Sequence, residues 1–379
     1  MVAQLQIPSH LIPADGRFGA GPSRVADRQI QRLVDANSHS DRALIMGTSH
    51  RQAPVRHVVG QVKDMLLELF QAPDDYQVVL GNGGASAFWA VAVTSLIARR
   101  SAHAVFGEFG GKFAAESARA PFLEDPVVVE AEAGSLATLS AQEGVDVYAW
   151  PHHETSTGVV SPVRRVAGAD DALMVVDATS IAGGIEVDLT QTDAYYFAPQ
   201  KCFGSDGGLW LALLSPAAVE RARRLRGSEG RWMPQILDLT LAIDNSAKDQ
   251  TLNTPALATL LMLHSQLEWM LSLGGLAACA DRSKQASDVV YQWAAQRSWV
   301  EPFVADRELR SPVVVTVDFE GVDAASVARV LRENAIVDVE PYRKLGRNQL
   351  RIATFPSVEV QDVERLVGAI DWVAERLAK

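Results

Sequence analysis

A lysine and an aspartate in the middle of the chain are the residues whose types point most directly to chemistry. Lys201 follows the apolar run of residues 195–198 inside a turn-rich segment, and Asp177 ends the strand-like run of residues 174–176. An amine that forms a Schiff base and a carboxylate that keeps a pyridinium nitrogen protonated are the two side chains that pyridoxal phosphate (PLP) chemistry requires. On spacing alone, an ordinary ion pair at the mouth of an α/β sheet is the favoured interpretation, because Asp and Lys are common at strand ends.

The glycine-rich turn at residues 81–86, Gly-Asn-Gly-Gly-Ala-Ser, is the second candidate. It joins a strand-like run to a helical pattern, and the free N–H groups of a helix start form an anion site that glycines allow a ligand to approach closely. The turn matches neither the dinucleotide nor the P-loop fingerprint, so a plain tight turn between strand and helix explains it equally well.

Short apolar runs that alternate with helical patterns predict the elements that position these residues. Seven strand-like runs occur, at residues 76–80, 102–106, 126–129, 146–150, 173–177, 194–197 and 209–214. Such alternation predicts an α/β fold with a mainly parallel sheet, helices on both faces, and a ligand beyond the carboxyl ends of the strands. Helical patterns are expected at residues 62–69, 85–99 and 256–273.

The last third of the chain carries a different pattern. Helices are expected at residues 278–298, 322–334 and 358–377, around strands at 311–319 and 349–352. We therefore expect a large domain at residues 17–260 and a small α+β C-terminal domain at residues 261–379, against which residues 1–16 pack. A chain of 379 residues also favours one large and one smaller domain.

Composition narrows the classes of protein. With 48% hydrophobic and 21% charged residues the chain is globular, and its net charge of −11 argues against nucleic acid or an acidic membrane surface as partner. The two cysteines, Cys202 and Cys279, lie far apart without metal-ligand spacing, so neither a disulfide scaffold nor a metal site is expected. No signal peptide or membrane-spanning stretch is visible, which predicts a soluble cytoplasmic protein.

Seven short segments occur in an order that resembles one enzyme family. They are residues 18–23 (FGAGPS), 47–51 (GTSHR), the glycine-rich turn, 153–155 (HET), 177–180 (DATS), 200–201 (QK) and 252–255 (LNTP). From about residue 17 to its end the chain resembles the phosphoserine aminotransferases, within the class-V, fold-type I PLP aminotransferases. The segments are individually weak but jointly specific, and they favour PLP over an ordinary ion pair.

The resemblance implies roles around the ring of the cofactor. Lys201 would carry the cofactor as a Schiff base and then move the proton at the reacting carbon. Asp177 would hold the pyridinium nitrogen, and Thr155 would donate a hydrogen bond to the phenolic oxygen. Phe109 occupies the place of the aromatic side chain that stacks on the ring, where many relatives have tryptophan, and Phe113 is the alternative.

The resemblance also implies how two oxyanions are bound. The cofactor phosphate would be held by residues of two subunits, Gly84, Ala85, Ser86 and Gln200 from one and Asn253 and Thr254 from the other. The resemblance therefore implies a homodimer with active sites at the interface. His50 and Arg51 would bind the substrate phosphate from the other subunit, and Arg351 the α-carboxylate, since guanidinium groups bind oxyanions in a bidentate manner. Residues 342–347 replace a His-Arg pair found in many members. Arg343, Lys344 or Arg347 could make the contact with the substrate phosphate instead, and the sequence does not choose among them.

Together these implications give a reaction. The enzyme would transfer the amino group of L-glutamate to 3-phosphohydroxypyruvate, giving O-phospho-L-serine and 2-oxoglutarate, in a ping-pong mechanism through pyridoxamine phosphate. The alternatives are an alanine–glyoxylate or serine–pyruvate aminotransferase, which has no use for the phosphate-binding cluster, a cysteine desulfurase, and a PLP-free relative that keeps the fold. The sequence does not say whether the phosphorylated intermediate of vitamin B6 synthesis is also a substrate.

Two further sets of residues receive structural interpretations. His152 and His153 are adjacent, and adjacent side chains on a strand point in opposite directions, which argues against a metal pair. Five tryptophans in apolar patterns are expected in the core or an interface, namely Trp89, Trp150, Trp210, Trp269 and Trp293.

Overall fold

A seven-stranded sheet is the centre of the computed structural model, which describes residues 5–37 and 45–377. Nine strands precede residue 215: β1 (Gln77–Asn82), β2 (Ser101–Val105), β3 (Val127–Glu130), β4 (Val147–Pro151), β5 (His153–Glu154), β6 (Val159–Val160), β7 (Leu173–Asp177), β8 (Ala194–Phe197) and β9 (Leu209–Leu214). Seven of them follow the order β1-β9-β8-β7-β4-β2-β3, while β5 and β6 form a separate two-stranded hairpin. Each of the seven expected strand runs overlaps one strand of this sheet.

The sheet is mainly parallel, as predicted, with one strand reversed. Strands β3, β2, β4, β7 and β8 pair in parallel, whereas β9 runs antiparallel to both β8 and β1. The central strands are buried along their whole length, which accounts for their continuous apolar sequences. Alternate residues belong to different cores: Met174 and Val176 pack in one, Leu173 and Val175 in the other.

Ten α-helices lie within the described residues. They are α1 (Asp27–Asp35), α2 (Ala53–Leu69), α3 (Ala85–Ser95), α4 (Glu108–Ala118), α5 (Pro216–Leu225), α6 (Leu239–Ser246), α7 (Leu257–Ser272), α8 (Gly275–Ala295), α9 (Ala324–Glu333) and α10 (Val360–Leu377). Helix α3 is shorter than its pattern suggests. The Asp146 carboxylate accepts the backbone N–H groups of Ala98, Arg99 and Arg100 at 2.7–2.9 Å and so holds the chain in a turn there.

A second, antiparallel sheet contains β10 (Val300–Pro302), β11 (Val314–Phe319) and β12 (Gln349–Ala353). The N-terminal segment binds to this part of the chain: the backbone N–H of Ile7 donates to Asn334 Oδ1 and that of Ala14 to Asp362 Oδ1. The division into domains near residue 260 remains a proposal. It is supported by the separation of the sheets along the chain, since the seven-stranded sheet lies within residues 77–214 and the three-stranded sheet within residues 300–353.

Between residues 5–37 and 45–377, no helix has both the length and the apolar character needed to cross a bilayer. The same ranges contain no cluster of three or more His, Cys, Asp or Glu side chains able to hold a metal ion.

Candidate active site

A cavity of about 330 Å³ lies beyond the carboxyl ends of β1, β7 and β8, a size typical of small-molecule sites. Its walls come from the loops and helix starts that follow these strands and β2, and from the β5 hairpin. The lining residues are Gly84, Ala85, Ser86, Trp89, Phe109, Lys112, His153, Thr155, Asp177, Thr179, Ser180, Gln200 and Lys201. Eight of the ten predicted cofactor ligands are therefore in one cavity, and Asn253 and Thr254 are the exceptions.

Lys201 lies under the N-terminal segment. Its Nζ donates a hydrogen bond to the backbone oxygen of Ala20 at 2.6 Å. A Cβ on Gly21 would lie 1.9 Å from the same Nζ, so only glycine leaves room for the amine in this position. Burial, together with the nearby positive charge of Arg351, lowers the pKa of Lys201 to about 8.

Asp177, the last residue of β7, is buried, and the charge of Lys201 acts on it only at a distance beyond that of an ion pair. Its Oδ1 accepts from the backbone N–H of Thr179 at 3.0 Å and from Thr179 Oγ1 at 2.5 Å, and its Oδ2 accepts from Trp89 Nε1 at 3.0 Å. All three donors are neutral, and no ion pair to this carboxylate occurs within residues 5–37 and 45–377. A buried carboxylate of this kind is suited to a cation delivered by a ligand.

The start of helix α3 forms the opposite end of the cavity. Gly84 precedes the helix, and a Cβ built on it would meet no atom within 4 Å, so the space beside it is open. The first backbone N–H groups of a helix, here those of Ala85 and Ser86, have no acceptor within the helix and favour an anion. Gln200 contributes Oε1, a buried oxygen without a hydrogen-bond partner among the described residues.

Thr155, in the turn of the hairpin formed by β5 and β6, is hydrogen-bonded to a hydroxyl of the loop that follows β7. Thr155 Oγ1 donates to Ser180 Oγ at 2.7 Å, and His153 Nδ1 lies 2.7 Å from the same hydroxyl. The Thr155 side chain is therefore oriented from behind by Ser180 while it lines the cavity. The backbone oxygen of Thr155 accepts from Arg351 Nη1 at 3.2 Å, which brings this guanidinium beside the cavity.

Phe109 lies in the first turn of α4 and lines the cavity, whereas Phe113, one turn later, is buried and does not. The start of α4 is held by a fully buried carboxylate, since Glu154 Oε2 accepts from the backbone N–H groups of Phe109 at 2.9 Å and Gly110 at 3.1 Å. Burial raises the pKa of Glu154. A Cβ on Gly107 would lie 2.3 Å from Glu154 Cγ, so this contact needs glycine.

The four predicted anion ligands of the C-terminal region differ in their partners. Arg351 is half-buried and its Nε has no hydrogen-bond partner among the described residues. Lys344 pairs with Glu108 at 2.5 Å, and Arg347 pairs with Asp318 at 2.5 Å. Arg343 is exposed and makes no ion pair with any described residue.

A second group of predicted residues lies outside the cavity. Thr254 Oγ1 lies 3.3 Å from His50 Nδ1, and Arg51 Nη1 donates to Gln250 Oε1 at 3.1 Å. Burial lowers the pKa of His50, with the charge of Arg51 acting in the same direction. Asn253, Thr254 and Arg51 are exposed, and none of the four predicted residues lines the cavity of its own chain.

Sequence reasoning missed several residues that border the site. Trp89 was expected in the core or an interface, and it is buried, but its indole also lines the cavity and binds Asp177. One feature of the sequence could have indicated this role. Trp89 lies five residues after Gly84, one turn into the helix that follows the glycine-rich turn, and is therefore near the cavity. Lys112 and Thr179 also line the cavity, and the backbone of Ala20 binds Lys201.

The residues present fit pyridoxal phosphate. An amine of lowered pKa, a buried carboxylate with neutral donors only and a helix start with open space beside it line one cavity. The aldehyde, the ring nitrogen and the phosphate of PLP match these three features in turn.

Comparison with known proteins decides the family. The family model described as aminotransferase class-V matches residues 17–339. The chain belongs to the class-V aminotransferases. A protein of a Nocardioides species named phosphoserine aminotransferase is 56% identical over 380 residues, covering 100% of both chains. The resemblance predicted from the ordered segments is confirmed.

Solved structures of class-V aminotransferases share the fold. The phosphoserine aminotransferase of Cytophaga hutchinsonii superposes with a TM-score of 0.84 at 22% identity, covering 94% of this chain and 99% of its own. An alanine–glyoxylate aminotransferase of a Nostoc species gives a TM-score of 0.78 at 21% identity, covering 98% and 97%. The predicted α/β, fold-type I architecture is confirmed, and the fold alone does not separate these two activities.

Proposed function

We propose that this chain is a PLP-dependent phosphoserine aminotransferase of serine biosynthesis. It transfers the amino group of L-glutamate to 3-phosphohydroxypyruvate and releases O-phospho-L-serine and 2-oxoglutarate. The observation that carries the proposal is the full-length, 56% identity to a protein of that name, in a chain whose lysine, carboxylate and anion-binding helix start line one cavity. We place the reaction in the cytoplasm as part of the same proposal.

The cofactor, when bound, supplies an electron-withdrawing ring that accepts the electron pair released when the substrate Cα–H bond breaks. Asp177 would bind the ring nitrogen and keep it protonated. The Thr155 hydroxyl would turn its single proton from Ser180 Oγ to the phenolic oxygen, and would then accept a hydrogen bond from Ser180. Gly84, Ala85, Ser86 and Gln200 hold the phosphate. Because α3 presents its N-terminus to the cavity, its dipole favours the phosphate charge in this position.

Lys201 moves the proton. An amine with a pKa of about 8 is partly neutral at physiological pH, so it is able to take the proton from the substrate Cα and return it to the adjacent cofactor carbon. The hydrogen bond from Nζ to Ala20 keeps the free amine inside the cavity. Phe109 closes the cavity beside the ring and limits access of water.

Arg351 binds the α-carboxylate of both substrates. Its Nη1 is anchored on the backbone of Thr155, and its free Nε leaves a donor for the carboxylate. Among the three candidates of the C-terminal loop we propose Arg343 for the substrate phosphate. Lys344 and Arg347 are engaged by Glu108 and Asp318, whereas Arg343 has no competing carboxylate among the described residues.

The active enzyme is a homodimer in this proposal, in which His50, Arg51, Asn253 and Thr254 complete the cavity of the other subunit. Three of these four side chains are exposed, and all lie outside the cavity of their own chain. Ile236, which is 49% exposed, borders the same crevice as Asn253, and Trp232 nearby in the chain is 71% exposed. Large exposed apolar side chains beside predicted site residues are typical of an interface.

A substrate panel tests the activity. Single-turnover absorbance changes of the holoenzyme should be faster with O-phospho-L-serine than with L-serine or L-alanine. Charged hydrogen bonds contribute about 1.5–3 kcal/mol each, so loss of two phosphate contacts predicts a difference of at least about 100-fold. Equal rates would leave a PLP aminotransferase of another substrate class, such as the alanine–glyoxylate type.

A second test addresses the remaining alternatives. The visible absorbance band of the holoenzyme should disappear in Lys201→Ala, and a protein that shows no band with added PLP would be the cofactor-free relative. A cysteine desulfurase needs a mobile thiol, whereas Cys202 is 1% exposed and burial raises its pKa.

Mixed dimers test the contribution across the interface. Lys201→Ala and Arg51→Ala subunits are each expected to form inactive homodimers. If Arg51 acts on the neighbouring cavity, the heterodimer carries both lesions in one site and leaves the other intact, so activity returns on mixing. If Arg51 acts within its own chain, every site of the heterodimer carries one lesion and activity stays absent.

A further inference from the structure

Trp89 donates a hydrogen bond to the second oxygen of Asp177. Its Nε1 lies 3.0 Å from Oδ2, and the residue is 8% exposed. Both other donors, the N–H and the hydroxyl of Thr179, bind Oδ1. No other hydrogen bond to Oδ2 occurs in the described part of the chain, although Tyr196 is close enough to Asp177 that burial and the carboxylate together raise the pKa of its hydroxyl. Without the indole, the Thr179 donors to Oδ1 would be the main restraint on the carboxylate.

We propose that Trp89 is a positioning residue that aims Asp177 Oδ2 at the pyridine nitrogen of the cofactor, an inference that rests on the proposed function. A carboxylate oxygen accepts more than one hydrogen bond, so the indole N–H occupies one direction and leaves another for the ring nitrogen. The donor is neutral. It therefore orients the carboxylate without supplying the positive charge that would compete with a pyridinium.

The position of Trp89 on α3 links it to the phosphate end of the cavity. Ser86 and Trp89 are three residues apart and therefore lie on the same face of the helix. The helix start faces the phosphate position while the indole holds the carboxylate at the other end. One rigid element therefore sets the distance between the two anchoring points of the cofactor.

The indole is itself held by packing. Its ring lies 6.3 Å from that of Phe113, centroid to centroid, at an interplanar angle of 14°. Phe113 is buried on α4, the helix that also carries Phe109. The Trp89 N–H is thus fixed by two helices and does not depend on the ligand for its direction.

An isosteric substitution tests the N–H alone. In Trp89→benzothienylalanine, sulfur replaces the indole N–H and the ring shape is kept. We expect the dissociation constant of PLP, measured by dialysis against the cofactor-free protein, to rise about tenfold, which corresponds to about 1.4 kcal/mol. The melting temperature of the cofactor-free variant should stay close to that of the wild type, which separates a role in cofactor binding from a purely structural role.

Trp150→Phe is the matched control. Trp150 is also buried, on β4 of the same sheet, but its Nε1 has no hydrogen-bond partner among the described residues. Its substitution should leave PLP affinity unchanged. Trp89→Phe provides a second test with natural amino acids if incorporation of the analogue prevents folding, and it should weaken PLP binding at least as much.

The nitrogen signal of bound, ¹⁵N-labelled PLP gives a second readout. It should report a protonated ring nitrogen in the wild type and a partly deprotonated one in the isosteric variant. Wild-type affinity together with a wild-type nitrogen signal would overturn the inference, and so would a loss of melting temperature that accounts for the whole change in affinity. If the wild type itself bound no PLP, the proposed function would fail instead.

Discussion

Replacement of Lys201 by methionine should stabilise the cofactor-free protein near neutral pH, although it abolishes the proposed chemistry. Burial lowers the pKa of this amine from 10.5 to about 8. The folded state therefore binds the proton less tightly than the unfolded state, and the cost of keeping the ammonium buried is greatest below pH 8. One pKa unit corresponds to about 1.4 kcal/mol, so the cost at pH 7 is about 3 kcal/mol.

Loss of one hydrogen bond offsets part of this gain. Lys201→Met leaves the backbone oxygen of Ala20 without its donor, which costs about 1 kcal/mol. We therefore expect a net increase of about 2 kcal/mol in the free energy of unfolding at pH 7. At pH 9.5 the penalty on the wild-type amine falls to about 1.4 kcal/mol, so the two proteins should be nearly equal in stability.

Urea unfolding of both cofactor-free proteins at pH 7 and pH 9.5, at one protein concentration, measures the difference. Lys112→Met is the matched control, because Lys112 lines the same cavity but is partly exposed and pairs with Glu108 at 3.2 Å. Its substitution should cost about 0.5 kcal/mol or less. A Lys201→Met protein that is less stable than the wild type at pH 7, or a gain that is the same at both pH values, would refute the reasoning.

Two other predictions concern the surroundings of the lysine and the buried histidines. Gly21→Ala should weaken PLP capture, followed by absorbance, and destabilise the protein by about 1–3 kcal/mol, because φ is +150° and the new Cβ would displace Lys201 Nζ. Burial lowers the pKa of His103, His152 and His153 to about 3, so they stay neutral in the folded state. The unfolded chain gains protons below pH 6.5, and stability should fall by about 1.4 kcal/mol per histidine between pH 7.5 and 5.5. Urea unfolding of His103→Asn, which should show a shallower pH dependence, checks this.

The strands of the large sheet were the most predictable part of the fold. Apolar runs such as residues 173–177 are continuous because both faces of the sheet are covered, and that pattern identifies a buried strand. The direction of β9 was not predictable, since a strand buried on both faces has the same pattern whichever way it runs. Helix α4 was not predicted, because two glycines follow Phe109 and glycine is a weak helix former. The start of the helix is held by Glu154, which is distant in the chain.

The site was predictable where a residue acts through its own chemistry, and less so where it acts through a neighbour. Lys201, Asp177 and Thr155 belong to recognisable segments, and the structure brings them together. Trp89 was assigned to the core because its sequence surroundings are apolar, and nothing in a linear pattern shows that its N–H reaches Asp177. The assignment of individual roles to these residues remains a proposal.

The N-terminal segment covers the site through contacts with residues that are distant in the chain. The backbone of Phe18 pairs with that of Val337 and Ala353, and Ala20 binds Lys201. Phe18 therefore cannot make its two backbone contacts until residues 337 and 353 have been synthesised. Contacts this distant in sequence form late, because the loop that they close is long. We therefore expect the seven-stranded sheet to form before the N-terminal segment covers Lys201.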